Sequence, residues 1–584
     1  MRKLLLLSIA FLFCYKFYGQ TNKVNYSNVL ENYIKEIENT LEKGSAKAIS
    51  FALIDGNKIV YLGNYGYSDF ENKVKADSNT VYGIGSISKL ITASSVLQLH
   101  EKGVLNIDSS FTKYCSDFSI KQKIQTNIQI TPRMLICHYS GLPSDITDGT
   151  FSKKPKHFSS VIESLDKEYA PFPPNYVYSY SNIGYSLLGV LIEKSTGKKY
   201  EEYVKQNIFE PLGMYSAIVD GDNSTVLLKG YDEKGNQRDE YGIWPVPAGG
   251  IKSNIIDLAK FAMTFLPEYK GIKILETMTI KEMLTVQNQN IPLDLGEKHG
   301  MPWFYGNINS AGQIYYHSGG TMNHRGVVII APESNLAIAL LSNSVNVGRF
   351  HRLSINLLDS CAKLKGRTID LKTTKEFAEI DTVTLIKDVL EKYNGLYAHP
   401  SFVFEILTKG NQLYTKIQDT DYFLKPLKDG SFVPQIINSE GSLEILTNLR
   451  FEFSNIDGNE ILIYNNIDIQ SKQILGTKFH QKGIDSLWHS RLGKYEILDK
   501  NENGHLFLSY FELTIENGVL VFNQMEDYEG KEKWQTAIEI INKNTAFTIG
   551  IGRHRGTTLL FETENGNEIL WFSGYKLKLV QETD

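Results

Sequence analysis

At 584 residues the chain exceeds one ordinary domain and is long enough to bury a sizeable core. Its 61 basic and 66 acidic residues leave a formal net charge of −5 and are interspersed, so no basic stripe suggests a nucleic-acid partner. Twelve histidines occur without metal-ligand spacing, which points away from a metal enzyme and towards a chain that needs no cofactor.

The first nineteen residues read as a leader. Arg2 and Lys3 precede an apolar run, Leu4 to Phe13, that is too short to span a bilayer, and Tyr18-Gly19 offers a small residue at a cleavage point. Residues 1–19 are thus expected to direct export, to the periplasm or the outside of the cell, with no transmembrane anchor beyond the leader. Cys14 lies near the end of the run, but Phe11-Leu12-Phe13 lacks the small residues that lipoprotein processing favours. Loss of the leader leaves Cys115, Cys137 and Cys361, an odd number that indicates buried packing thiols and no disulfide framework.

Residues 20–362 read as one mixed α/β domain. It opens on a hairpin, Ala48 to Leu53 and Lys58 to Leu62, turning at Asp55-Gly56-Asn57. Next comes Val81-Tyr82-Gly83-Ile84-Gly85, a glycine-bearing approach without charge, followed by Ser86-Ile87-Ser88-Lys89. Leu90, Ile91, Ala93, Val96, Leu97 and Leu99 then make a helix apolar nearly all round, ending at Glu101-Lys102-Gly103. Such a helix is central to its domain. Ser86 and Lys89, three residues apart, share one of its faces, and a lysine so placed can strip the serine hydroxyl of its proton without a histidine. The helix N-terminus adds backbone N–H groups and a dipole that favour developing negative charge. Ser110, Ser164, Ser195 and Ser360 also have a lysine three residues on, but lack these flanks. Ser88 reads as a helix residue with no catalytic part.

A second string, Tyr180-Ser181-Asn182, follows Pro171-Phe172-Pro173-Pro174-Asn175, which cannot be helical, and precedes the apolar helix Ile183 to Ile192. Tyr180 is therefore expected on a loop at a helix start, aimed into a cleft. Tyr178 and Tyr185 lack the asparagine two residues on, and Tyr26-Ser27-Asn28 comes in the wrong order. The third string is His317-Ser318-Gly319, with Gly320 after it. A second hairpin follows, Gly326 to Ile330 and Leu336 to Leu341, turning at Pro332-Glu333-Ser334-Asn335. Strands from both chain ends are expected to meet in one antiparallel sheet, with the three strings converging between sheet and helices. His138, His324 and His351 read as structural or surface residues. Asn323 and Arg325 are candidates to touch a substrate carboxylate, although an arginine at a hairpin start is usually just solvated.

Residues 363–392 are charged and read as a linker with a further helix. From 393 to 584 short alternating segments dominate, among them Phe402 to Leu407, Leu449 to Phe453, Glu460 to Tyr464 and Val519 to Phe522. Asn503-Gly504, Asn517-Gly518 and Asn565-Gly566 supply hairpin turns. Gly395-Leu396-Tyr397 and Gly493-Lys494-Tyr495 each open a similar stretch, suggesting two small antiparallel barrels, about 393–485 and 490–584, or two halves of one.

Three further phrases accompany the strings: Thr131-Pro132-Arg133-Met134-Leu135-Ile136-Cys137-His138-Tyr139-Ser140-Gly141-Leu142-Pro143, Pro211-Leu212-Gly213-Met214 and Ala248-Gly249-Gly250-Ile251. With them the chain resembles, over roughly residues 25 to 362, the serine β-lactamase-like, peptidase S12-like family. That family includes class C β-lactamases, D-Ala-D-Ala carboxypeptidases, D-aminopeptidases and related esterases. The β-rich region resembles the lipocalin-like domains attached to many members. The resemblance implies an α/β fold, a β-lactamase/transpeptidase-like antiparallel sheet flanked by helices with a helical subdomain, followed by a C-terminal all-β region.

It also implies roles. Ser86 would be the nucleophile, with Lys89 and Tyr180 sharing its proton, either of them being the base. Asn182 would hold the lysine and the substrate. His317, Ser318, Gly319 and Gly320 would form an edge strand along which substrate lies, the two glycines keeping it free of side chains. The N–H groups of Ser86 and Gly320 would form the oxyanion hole. His317 stands where class C β-lactamases resemble K-T-G, and an imidazole is a weaker anionic anchor than a lysine. The function expected is an exported serine hydrolase that forms an acyl-enzyme on a small molecule or short peptide, either a D-amino-acid-containing peptide or a small ester. The alternatives are a non-catalytic or self-acylating receptor for penicillins or wall peptides, and a β-lactamase.

Overall fold

The computed structural model describes residues 24–580 except 220–228, 368–379, 438–441, 469–470, 499–503, 506–507 and 527–532. The leader with Cys14, the middle of the 363–392 segment and Asn503 of one turn lie outside the described residues. Among those described, no helix is long and apolar enough to cross a membrane.

Both hairpins form where turn residues interrupt apolar runs. α1 (Ser27–Glu42) leads into β1 (Ala48–Asp55) and β2 (Lys58–Asp69), and α2 (Ser88–Glu101) begins just after Ser86. α3 (Asn182–Thr196) and α4 (Ile255–Met263) follow. The chain then lays down β3 (Phe304–Ile308), β4 (Gly312–Gly320), β5 (Arg325–Ala331) and β6 (Leu336–Ser342), and ends the domain with α5 (Arg349–Leu364). The sheet runs β3-β4-β5-β6-β1-β2, with the short strand Val74–Lys75 beyond, and every pairing is antiparallel.

β1 and β6 are apolar at nearly every position because both faces of the sheet are covered. Strand alternation sorts their side chains. Ile49, Phe51 and Leu53 with Ile338 and Leu340 pack against Tyr33 and Ile37 of α1 and Leu357 and Leu358 of α5. Ala52 and Ile54 with Ala337, Ala339 and Leu341 join the core that contains α2, α3 and α4. Cys115, Cys137 and Cys361 are free and buried.

The C-terminal region is two separate eight-stranded antiparallel barrels. The first comprises strands from Gly395–Ala398 to Ser471–Phe479 and closes through the pairing of Thr420–Pro426 with Phe432–Ile437, the strand Leu443–Ile445 lying outside the ring. The second closes on itself from Gly493–Ile497 to Tyr575–Leu579. They open alike. Each begins with a short helix whose apolar residue, Leu390 or Trp488, is fully buried. Gly395 and Gly493 then adopt φ of 142° and 132°, open to glycine alone among common residues. Tyr397 Oη donates to Tyr393 O, and Tyr495 Oη to Arg491 O, the same step back along the chain. The G-x-Y echo is thus a structural repeat. Both interiors are filled by side chains, among them Phe404, Phe432 and Phe451 in the first and Phe511, Phe522 and Phe572 in the second.

Neither barrel hangs free. Ile461 and Ile463 of the first pack on Phe172 and Val177, in the loop that leads to Tyr180. The second barrel pairs Gly504–His505 with Phe151–Ser152, and the N–H groups of Thr147 and Asp148 donate to Ser573 O. Tyr169 N donates to Thr558 Oγ1 beside Glu168, which is 4% exposed and whose carboxyl is pushed by burial up to about 7. A carboxyl that titrates higher folded than unfolded removes stability as pH rises from its ordinary range through about 7. We therefore expect Glu168→Gln to be more stable than wild type at pH 8, by about 3 kcal/mol from the size of that shift, and indistinguishable at pH 4. Thermal melts at the two pH values check this, and equal melting shifts at both would refute the titration argument.

Candidate active site

Ser86 sits in a single 3₁₀ turn, Gly85–Ile87, that feeds α2, and every residue from Ser88 to Leu99 is buried. The turn is wedged between two strands. Ile84 N donates to Ile251 O on one side, and the end of β4 presses on the other. A Cβ on Gly85, whose φ is 51°, would lie 2.5 Å from Gly320 N, so the backbone of Gly320 sits directly beside the turn that carries Ser86. Ser88 Oγ accepts from Ile251 N at 3.1 Å, a structural tie in keeping with its reading as a plain helix residue.

Lys89 is fully buried and its Nζ has three oxygen neighbours: Ser86 Oγ at 3.2 Å, Asn182 Oδ1 at 2.7 Å and Ala248 O at 2.7 Å. The Ala-Gly-Gly phrase supplies the last of these. Nζ also lies 4.7 Å from the centre of the Tyr180 ring. Burial, reinforced by the Arg553 charge, holds the ammonium well below the ordinary lysine range, while Asp145 works the other way. Burial pushes the Tyr180 phenol up to about 12, against a hydrogen bond with Ser86 that favours the phenolate. Tyr178 and Tyr185 are otherwise engaged. Tyr178 stacks on His299, and Tyr185 Oη donates to Ile136 O.

Asn182 holds the lysine as expected, but its Nδ2 donates to Asp145 Oδ1 at 2.5 Å rather than standing open to substrate alone. The third string divides between the two faces of the sheet. His317 pairs across with Val328 of the α2 side, and Ser318 with Val327 of the α1 and α5 side. The Ser318 side chain therefore points away from Ser86, and only its backbone borders the cleft. β4 is also an edge only in part. β3 pairs with Gly312 to Tyr316 and stops, leaving residues 317–320 free on that side. Gly319 is needed for packing, since a Cβ there would fall 1.9 Å from Ile84 O, whereas one on Gly320 would meet the Arg325 side chain on the far face. Gly319→Ala should cost about 3 kcal/mol or more and abolish activity, because the strand cannot approach the nucleophile turn. A variant with wild-type melting and turnover would show that the strand can withdraw.

His317 is 1% exposed, its Nδ1–H donates to Ser318 O at 2.7 Å, and burial pushes it down to about 3. It is a neutral imidazole in this site. Asn323 and Arg325 do not face substrate. Asn323 is buried against Glu240, and Arg325 Nη1 donates to Thr321 O and His324 O. His324 Nδ1 accepts from Gly83 N, and the His351 ring packs at a tilt against Tyr316, both structural.

His138 is structural too, yet inside the site. Its ring stacks on Tyr180 at 4.2 Å and its Nδ1 accepts from Ser181 N. Sequence reasoning missed Asp145 and Arg553. Asp145 follows the Gly141-Leu142-Pro143 phrase and carries Asn182. Arg553 comes from the loop before the second barrel's strand Thr558–Glu564, and its guanidinium centre lies 4.6 Å from the centre of the Tyr180 ring. That loop is tied down by His554 N donating to Ser144 Oγ at 2.9 Å. Only the glycines and basic residues of Gly550-Ile551-Gly552-Arg553-His554-Arg555-Gly556 could have flagged it.

An antiparallel sheet, a buried helix opening at Ser86 and a serine–lysine–tyrosine cluster between them define the β-lactamase/transpeptidase class of fold. A family model described as Beta-lactamase matches residues 34–359, more than half of the chain, and the chain belongs to that family. It is 27% identical over 321 residues to protein flp of Staphylococcus aureus, covering 53% of this chain and 61% of that one. The chain thus spans about three fifths of the curated relatives it matches first. Among solved structures, the octameric penicillin-binding protein homologue from Pyrococcus abyssi is similar with a TM-score of 0.51 and 23% identity, covering 77% of this chain and 100% of that one. SurE is similar with a TM-score of 0.56 and 18% identity, covering 78% and 100%. At these identities the structures establish the fold alone.

Proposed function

We propose that the protein is an exported serine hydrolase that forms an acyl-enzyme at Ser86 on an amide or ester, its substrate being a D-amino-acid-containing peptide or a small ester. The arrangement around Lys89 Nζ carries the reading. As a neutral amine, Lys89 donates its two N–H groups to Asn182 Oδ1 and Ala248 O, and its lone pair is left for the Ser86 hydroxyl. Burial favours that neutral form and keeps Tyr180 protonated.

The assignment of roles follows. Lys89 takes the Ser86 proton as Oγ attacks the carbonyl, Tyr180 gives its proton to the leaving group, and Lys89 restores it. The oxyanion develops beside the N–H groups of Ser86 and Gly320. Water resolves the acyl-enzyme by the same relay in reverse. The neutral His317 offers no cation at the strand position where the K-T-G string of class C β-lactamases has its lysine, which supports a peptidase or esterase over a β-lactamase built on that pattern. The preference for a D-residue rests on the family resemblance.

Intact mass of the wild type and of Ser86→Ala, after exposure to a fluorophosphonate, a penicillin and a short-chain ester, tests the proposal. Mass gain in the wild type alone, with turnover of the ester or a D-peptide, is the expected result. Labelling that persists without turnover would favour the acylating receptor, and no labelling of folded wild type would overturn the serine chemistry.

A further inference from the structure

We propose that Arg553, delivered by the second barrel, is an anionic-substrate anchor of the Ser86 site, and that the preferred substrate carries a carboxylate next to its scissile bond. The inference rests on the serine-hydrolase reading and adds a substrate class to it.

Four observations lead there. First, position: the guanidinium lies 4.6 Å from the centre of the Tyr180 ring, which itself lies 4.7 Å from Lys89 Nζ. Second, availability: Arg553 is 47% exposed, and among the described residues it makes no hydrogen bond, its one ion pair being Asp145 Oδ2 at 3.6 Å. Asp145 is only 13% exposed and commits its other oxygen to Asn182, so positive charge faces the cleft and negative charge is tucked behind it. An arginine with its N–H fork unspent matches a carboxylate in two parallel hydrogen bonds.

Third, the loop is fixed in advance. His554 N is held by Ser144, Gly556 N donates to Thr548 O, and a Cβ on Gly556 would fall 2.3 Å from Pro171 Cβ. The neighbouring Arg555 is buried and its side chain lies against Gly550 of the same loop. A preordered cation loses little on binding. Fourth, the usual place for a cation is vacant of charge. His317 stands there, buried and neutral, and Arg325 donates through Nη1 to Thr321 O and His324 O. The cleft has thus moved its cation from the sheet to the appended barrel.

The carboxylate can belong to the acyl half, or to the leaving half as in the free end of a peptide. Matched ester pairs separate the two sources. One pair is the phenyl esters of 3-carboxybenzoic and 3-carbamoylbenzoic acid, with the charge on the acyl side. The other is the acetate esters of 3-hydroxybenzoic acid and 3-hydroxybenzamide, with the charge on the leaving side.

The readout is the ratio of kcat/KM for carboxylate over carboxamide, which cancels any general effect of a variant on the machinery. Wild type is expected to prefer the carboxylate in one pair. Arg553→Ala should lower that ratio at least tenfold, Arg553→Glu should bring it below one, and Arg553→Lys should restore part of it. The pair that responds identifies the half that is read. Fluorophosphonate labelling of every variant accompanies the kinetics. A labelled enzyme whose ratio is the same in wild type, Ala and Glu variants overturns the anchor alone. A folded wild type that neither labels nor turns over any ester overturns the hydrolase reading and the anchor with it.

Discussion

Lys89→Met should lower kcat/KM for a p-nitrophenyl ester by about 10³-fold while the protein stays folded. A positioned base typically contributes about 10² to 10⁴ in rate. Methionine fills the buried volume without a charge, but leaves Asn182 Oδ1 and Ala248 O without their donor. Each lost partner costs on the order of 1 to 3 kcal/mol, partly offset because an amine no longer has to be buried. A loss below tenfold would make Tyr180 the base. The companion variant, Tyr180→Phe, separates the roles further. A nitrophenolate leaves unaided, so this variant should suffer little on the activated ester and heavily on an amide. The pH profile supplies an independent reading. Activity requires the neutral amine, so kcat/KM rises with pH through the Lys89 titration. Asp145 raises that titration and Arg553 lowers it, while the buried imidazoles of His138 and His317 nearby remain neutral. Arg553→Ala should therefore move the acidic limb to higher pH, and an unmoved limb would mean that Lys89 does not titrate there.

Removing the second barrel, residues 486–584, should reduce kcat/KM by about 10²-fold or more, even if the rest remains soluble. This deletion takes away Arg553, the Ser573 oxygen that holds Thr147 and Asp148, and the strand partner of Phe151–Ser152. The loop carrying Asp145 loses its support, and Asp145 holds Asn182, which holds Lys89. A displacement of about 1 Å at the reacting groups is enough for a loss of this size. Kinetics of the deleted protein beside the full chain decide the matter. Activity within threefold of wild type would make the barrel a passenger.

The three strings were legible as one cluster because the spacing that matters is local. Ser86 and Lys89 lie one helical turn apart, and the apolar run after them could only be a core helix. The two hairpins announced themselves through Asp55-Gly56-Asn57 and Pro332 to Asn335, and the barrels through Gly395 and Gly493. What stayed hidden depended on register or on distance. Whether Ser318 or His317 faces Ser86 is set by pairing with β5, which no single string encodes. Asn182 looked like a substrate contact because its partner Asp145 lies 37 positions away along the chain. Arg553 resembled a surface arginine in a glycine-rich loop, since nothing in residues 550 to 556 says which surface they meet.

The nucleophile is laid down near the start of the chain, and the loop that walls its cleft near the end, just before the strands that close the last barrel. Contacts of such long sequence separation form late in folding. A chain emerging from the ribosome has Ser86 and Lys89 long before the Arg553 loop can reach Tyr180. Under the proposed function, the order of synthesis thus withholds a finished cleft from a partly made chain.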